Sequence, residues 1–259
     1  MMLHVSDLAL AYGDGPPVLS NVQLHLAAGE FMSLVGPSGC GKSTLLRVIM
    51  GLQQPAGGRV ELDIDRLDVG FLFQDDALLP WRNARDNVAL GLRARGMARG
   101  QARDEADAWL DSVGLGGLSN RYPNQLSGGQ RKRVSISQVL ALRPKLLLMD
   151  EPFASLDAIV RRYMIEDLLQ WVEEDGITVL MVTHDLNEAV SVSNHVALMS
   201  NGPGARIKST HAVPTAFRAS SSTGSIHPDQ PRVVARLWDE LATEIALPRN
   251  RPARLEAAA

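Results

Sequence analysis

Gly36-Pro37-Ser38-Gly39-Cys40-Gly41-Lys42-Ser43-Thr44 is the stretch that decides the fold of this chain. It fits G-x-x-x-x-G-K-[ST], with Gly36, Gly41, Lys42 and Ser43 at the fixed positions. Backbone N–H groups can wrap a phosphate chain only where side chains leave the backbone accessible, and Gly36, Gly39 and Gly41 supply that access. Before the loop, Glu30 to Val35 (EFMSLV) predicts a short strand. After it, Ser43 to Met50 (STLLRVIM) carries apolar residues at helical spacing. The loop therefore opens onto a helix N-terminus, where oriented N–H groups favour an anion. Gly36 to Thr44 as a whole is the candidate phosphate-binding loop for a nucleotide. In it, Lys42 is placed to reach the β- and γ-phosphates and the Ser43 hydroxyl to ligate the Mg2+ that a nucleotide carries.

Working outward, residues 3–34 alternate short apolar stretches with Gly, Pro and Asp punctuation, which predicts an antiparallel sheet feeding the loop. Tyr12, at the first of those turns, offers a face for an adenine ring or an ordinary packing contact. Downstream, Arg59 to Phe73 returns to β-like alternation and ends at Gln74. That amide either touches a metal, a water or a neighbour, or simply closes a strand. Residues 84–113 read as helical, with Ala106, Trp109, Leu110 and Val113 at i, i+3, i+4 and i+7 and Gly114 as the stop. Leu126 to Gln130 reads LSGGQ, and Ser127, Gly128 and Gly129 open a helix as a second anion site chemically like the first. Two such sites, with one nucleotide for each, invite pairing across a dimer. The basic run Arg131-Lys132-Arg133 predicts a solvated helix face.

Leu146 to Met149 (LLLM) predicts a buried strand running into Asp150 and Glu151. Strand alternation points adjacent carboxylates in different directions, so one role each is expected: Asp150 to hold Mg2+, Glu151 to polarise an attacking water. Ile177 to Val182 (ITVLMV) predicts another buried strand, ending at Thr183 and His184. In open α/β sheets ligands bind at the C-terminal ends of the strands, so His184 converges on the same edge.

Composition bounds these readings. The 259 residues are 45% hydrophobic, enough for one large domain with inserted subdomains. Net charge is −3, which gives no basic footprint for nucleic acid. No apolar run approaches the roughly 20 residues that span a bilayer, and the N-terminus lacks a basic flank before an apolar segment, so a cytosolic chain is expected. Cys40 is the only cysteine, which excludes an intrachain disulfide. It reads as a small residue that fits the loop; a helix N-terminus would lower its pKa, and alkylation is then expected to block nucleotide binding.

Taken together and in order, GPSGCGKST, Gln74, LSGGQ, LLLMDE, Ser155-Leu156-Asp157 and His184 closely resemble the ATP-binding subunit of ATP-binding cassette transporters, over residues 1 to about 210. The resemblance implies an α/β fold: a P-loop NTPase (RecA-like) core with an antiparallel β subdomain and an inserted α-helical subdomain at about 84–140. It also implies roles. Tyr12 looks like the adenine-stacking aromatic, Gln74 the glutamine that senses Mg2+ and the transmembrane partner, Glu151 the general base and His184 the γ-phosphate switch. Ser127, Gly128, Gly129 and Gln130 would act on the opposite subunit's ATP, with Asp157 coupling the two sites and Ser43, Gln74 and Asp150 around the metal. The implied partners are a second ATPase subunit, transmembrane permease subunits and, indirectly, an extracytoplasmic solute-binding protein, with no nucleic acid. The implied location is the cytoplasmic face of the inner membrane.

Two narrower stretches refine this: FQDDALLPWRNARDNVALGL looks like the nitrate, sulfonate and taurine importer branch, and ALMSNGPGARI looks most like its nitrate and cyanate members, which makes a small anion such as nitrate, a sulfonate or taurine the expected solute. Pyrimidine-precursor import, efflux and a soluble cassette acting on DNA or ribosomes are the alternatives. Lys132 and Gln138 depart from the residues expected around the signature helix. In the tail, 211–231 reads as a linker, and 232–246 as a helix with Val234, Leu237, Trp238, Leu241 and Ile245 on one face, covering a patch of the same subunit. Residues 247–259, ending LEAAA, read as a disordered tail.

Overall fold

The strand entering the phosphate loop is the middle of a sheet rather than its edge. A computed structural model describes residues 1–154, 156–221 and 225–246, with the side chains of 245 and 246 excluded. Ser155, the 247–259 tail with LEAAA, and the side chain of Ile245 lie outside the described residues. The first elements are β1 (Leu3–Ala11), β2 (Pro17–Leu26), β3 (Phe31–Val35), α1 (Lys42–Met50), β4 (Gly57–Leu62) and β5 (Val69–Leu72). Then come α2 (Ala84–Ala94), α3 (Arg99–Ser112), α4 (Gly128–Leu140), β6 (Leu146–Asp150), α5 (Ala158–Glu174) and β7 (Thr178–Thr183). The chain continues through α6 (Leu186–Val192), β8 (His195–Met199), β9 (Ile207–Ala212), α7 (Thr215–Ser221) and α8 (Gln230–Ala246).

Two sheets form. The larger has the order β5-β6-β7-β3-β8-β9, parallel except for β9, which runs antiparallel to β8. Its central strands β3, β6 and β7 are buried at every position, as expected of strands covered on both faces. The smaller sheet, β2-β1-β4, is antiparallel. The expected single sheet over 3–34 is therefore corrected: β1 and β2 pair with each other, while β3 crosses into the parallel sheet. Arg59 to Phe73 is likewise divided, β4 going to one sheet and β5 to the other across a 3-10 turn at Arg66–Asp68.

The apolar interior follows these layers. Leu3, Val5, Leu8 and Leu24 of the small sheet pack with Leu45, Leu46 and Ile49 of α1 and with Leu34, Leu148 and Leu180 of the large sheet. On the opposite face Phe31, Leu147, Met149, Val179 and Met181 meet Met164, Leu168 and Val172 of α5. The inserted helices have a separate cluster built on Val88, Ala106, Leu110 and Val134. Residues 84–113 form two helices rather than one, because the chain turns at Gly96, whose φ is +92°. The expected linker at 211–231 contains the end of β9 and the whole of α7. A fourth cluster joins Phe217 of α7 and Leu237 and Leu241 of α8 to Val35, Leu186, Val190 and Leu198. The C-terminal helix thus covers its own subunit, but it begins at Gln230 and Trp238 points outward, 54% exposed.

Candidate functional site

Register places the site. Val35 pairs with Thr183, Asp150 with Val182 and Leu72 with Met149, so strands β3, β7, β6 and β5 end side by side. Gly36, His184, Glu151 and Gln74 follow those ends within two residues, along one edge of the sheet.

The loop at that edge is held by its own lysine. Lys42, 6% exposed, donates to the carbonyls of Gly36 at 2.8 Å and Pro37 at 3.0 Å. Ser38 and Gly39 are exposed at the bend and Thr44 is half-buried in the first turn of α1. Gly41 caps α1 with φ +110°, and a Cβ there would lie 2.9 Å from Leu19 Cδ2, so both conformation and space require glycine. No side chain caps this end of the helix, which leaves its first N–H groups available to a ligand.

Ser43 Oγ donates to Asp150 Oδ1 at 2.8 Å. Burial raises the Asp150 pKa, opposed by this hydrogen bond and by Arg47 and Lys42, while Glu151 adds to the rise. Two hard oxygens in contact, one on a carboxyl whose charge burial disfavours, suit a small divalent cation. Next to them Glu151 adopts φ +44°, a left-handed conformation uncommon for glutamate, and its Oε2 lies 3.1 Å from His184 Nδ1. His184 is 59% exposed and Glu151 22%, so the pair sits at a surface.

Cys40 departs from expectation. It is 1% exposed and burial raises its pKa, outweighing the lowering by Lys42 and by backbone hydrogen bonds. Burial therefore moves the thiol opposite to the direction expected at a helix N-terminus and lowers its reactivity toward alkylating reagents.

Tyr12 is 51% exposed, its hydroxyl donating to Gln53 Oε1 at 3.2 Å. The Gln74 side chain is exposed and, among the described residues, makes no hydrogen bond; its carbonyl accepts from Lys132 Nζ at 3.2 Å. Ser127 and Gln130 serve each other: Ser127 Oγ accepts from Gln130 N at 3.3 Å, and Ser127 N donates to Gln130 Oε1 at 2.9 Å. Gly128 and Gly129 occupy the first turn of α4, and a Cβ on Gly129 would come within 2.9 Å of Val160 Cγ1. Asp157 caps α5, accepting from Ile159 N at 3.1 Å and Val160 N at 3.0 Å.

Two networks escape sequence reasoning. Behind His184, Asp185 caps α6 and pairs with Arg161 at 3.5 Å, while Arg161 donates to the Leu156 carbonyl at 3.1 Å. There Glu188, 8% exposed, accepts from Thr183 Oγ1, and burial pushes its pKa up to about 7. The second network overturns the solvated basic face. Lys132 is fully buried, and Arg133 donates to the Val113 carbonyl at 2.7 Å and pairs with Asp167 at 2.8 Å. The only available signal was Asp76, two residues from Gln74 and far from Lys132 in sequence.

Among the described residues no helix is long and apolar enough to cross a membrane. A family profile described as ABC transporter matches residues 19–154. Taurine import ATP-binding protein TauB of Escherichia coli O157:H7 is 46% identical over 208 residues, covering 78% of this chain and 81% of that relative. The protein of the same name from Shigella sonnei gives the same figures. Among solved structures, a dimeric structure of the bacterial ABC transporter cassette MJ0796 superposes with a TM-score of 0.73 at 34% identity, covering 82% of this chain and 99% of that one. A dimeric post-hydrolysis state of the same cassette bound to ADP and Pi gives 0.72 at 33%, with the same coverage.

Proposed function

The chain belongs to the ATP-binding cassette transporter family, and we propose that it is the ATP-hydrolysing subunit of an importer for taurine or a related small sulfonate. One observation carries the chemistry: Lys42, the Ser43–Asp150 contact at 2.8 Å and the Glu151–His184 contact at 3.1 Å meet at one sheet edge, beside a helix end left open.

On this reading, incoming phosphate oxygens replace the Gly36 and Pro37 carbonyls as partners of Lys42, and the open N–H groups of α1 take the remaining charge. Ser43 and Asp150, with Gln74, would hold Mg2+, whose charge would offset that of the nucleotide's phosphates. Glu151 accepts a hydrogen bond from the attacking water and draws off its proton as the water adds in line to phosphorus. His184, held by Glu151 before nucleotide arrives, turns to the γ-phosphate. Tyr12 stacks its ring on adenine.

Ser127, Gly128, Gly129 and Gln130, at a second glycine-rich helix N-terminus, serve the ATP of a second copy. Asp157, at the N-terminus of α5, links the two sites. The unit of action is thus a pair of cassettes, 1–210 in each, seated on permease subunits at the cytoplasmic face of the membrane. A separate extracytoplasmic protein captures the solute. The relatives' name supports taurine or a sulfonate over nitrate, within the importer branch that the FQDDALLPWRNARDNVALGL stretch resembles. The test is growth of a strain lacking the gene on taurine as sole sulfur source. Rescue by the wild-type chain and not by Lys42→Ala is expected. Normal growth without the gene would remove taurine as the solute.

A further inference from the structure

The proposed mechanism gives no task to Lys132, yet its side chain is 0% exposed and its bonds are specific. Lys132 Nζ donates to the Gln74 carbonyl at 3.2 Å and pairs with Asp76 Oδ1 at 3.3 Å. The other carboxylate oxygen, Asp76 Oδ2, takes Arg131 Nε at 3.4 Å, and Arg131 donates to the Leu126 carbonyl at 2.8 Å. The chain of contacts is unbroken: Gln74 carbonyl, Lys132, Asp76, Arg131, Leu126 carbonyl. Both of its ends are backbone, one at the glutamine after β5 and the other at the first residue of LSGGQ.

A buried ammonium is costly to leave without partners, so this pair resists separation more than an exposed pair of equal length. Gripping carbonyls rather than side chains fixes peptide planes. The plane after Gln74 sets where its unpartnered amide starts. The plane after Leu126 sets where Ser127 begins α4. Asp76 also precedes Ala77, which has φ +52°, a left-handed turn that the ion pair helps to hold.

We infer that Lys132 is a positioning residue that makes the Gln74 segment and the LSGGQ end of α4 move as one body. A nucleotide bound at the chain's own loop then sets the pose in which Ser127 is offered to the nucleotide of the partner copy. This rests on the assignment of Gln74 and Ser127 proposed above.

The test uses the full-length chain with Lys132→Met, which keeps the buried stem and removes the ammonium, and Lys132→Arg, which keeps the charge. ATP affinity, kcat, KM and the Hill coefficient for hydrolysis are measured in each, and ATP-driven dimerisation in a Glu151→Gln background. Lys132→Met is expected to bind ATP within about twofold of wild type, while kcat and dimer affinity fall about tenfold and the Hill coefficient drops toward 1. Lys132→Arg should restore most of the loss. Wild-type kcat, cooperativity and dimerisation in Lys132→Met would overturn the inference. So would loss of ATP binding together with dimerisation, which would make the residue purely structural. A Ser127→Ala chain in the Glu151→Gln background separates the two levels. If it dimerises as tightly as its parent, the assignment of Ser127 fails, whatever Lys132→Met does.

Discussion

Two helix N-termini in this molecule look alike in sequence and differ in structure. At α1 the cap is Gly41, no side chain satisfies the first N–H groups, and Lys42 bonds only carbonyls of its own loop. At α4 the cap is Ser127, and a reciprocal pair with Gln130 already fills the end. The first is an open anion site within one chain. The second is closed on itself until something displaces the Ser127–Gln130 pair. A glycine-rich stretch before a helix therefore announces an anion site, and the side chains around it decide whether that site is ready or must be opened by a partner.

The sharpest way to break this contrast is Glu151→Gln. Hydrolysis should fall about 10²–10⁴-fold, while an ATP-bound dimer accumulates on gel filtration. A variant that hydrolyses ATP normally would remove Glu151 from its role, and one that stays monomeric in ATP would deny α4 its partner. Next in size, Lys42→Ala strips the open end of its only nearby ammonium. ATP affinity by titration calorimetry should drop about 10- to 100-fold, the worth of a charge-assisted hydrogen bond. Ser127→Ala should leave ATP affinity of the single chain unchanged and lower hydrolysis about tenfold, since on the proposed reading the hydroxyl meets nucleotide only across the interface. If affinity and hydrolysis fall together, both helix ends serve the same nucleotide and the comparison collapses.

The smallest effect sits outside both ends. The folded-state pKa of Glu188, about 7, is above its ordinary value of 4.5. The folded chain therefore holds a proton that the unfolded chain releases. The stability linked to that proton is fully present below pH 4.5 and is lost as pH rises through 7, by about 1 kcal/mol between pH 6 and 8. Glu188→Gln should flatten that part of the urea-denaturation profile. An unchanged slope would place the titration elsewhere.

The parallel strands and the open helix end were legible in the sequence because local signals encode them. EFMSLV, LLLM and ITVLMV are apolar runs with no room for another reading, and the phosphate loop needs its glycines where they stand. What failed depended on distant partners. Arg131-Lys132-Arg133 reads as solvated until Asp76 and Asp167 arrive from elsewhere in the chain. Residues 215–221 (TAFRASS) hide a helix because Ser and Thr are poor helix formers, and its anchors come from far away in sequence: Phe217 packs with Leu186 and Val190, and Arg218 pairs with Glu173. Whether β3 joined the small sheet or the large one turned on pairing register, which alternation alone does not fix.

The C-terminal helices bear on how this chain can be cut. Phe217, Leu237 and Leu241 share one apolar cluster with Val35, the residue that leads directly into the phosphate loop, and Arg218 lies over the Phe31 ring with its charge on Glu173. A cassette trimmed at Ala212 would keep every sequence motif yet turn Leu186, Val190 and Leu198 toward solvent. It would trade an interior for a sticky face, and purify as aggregate rather than as a minimal enzyme.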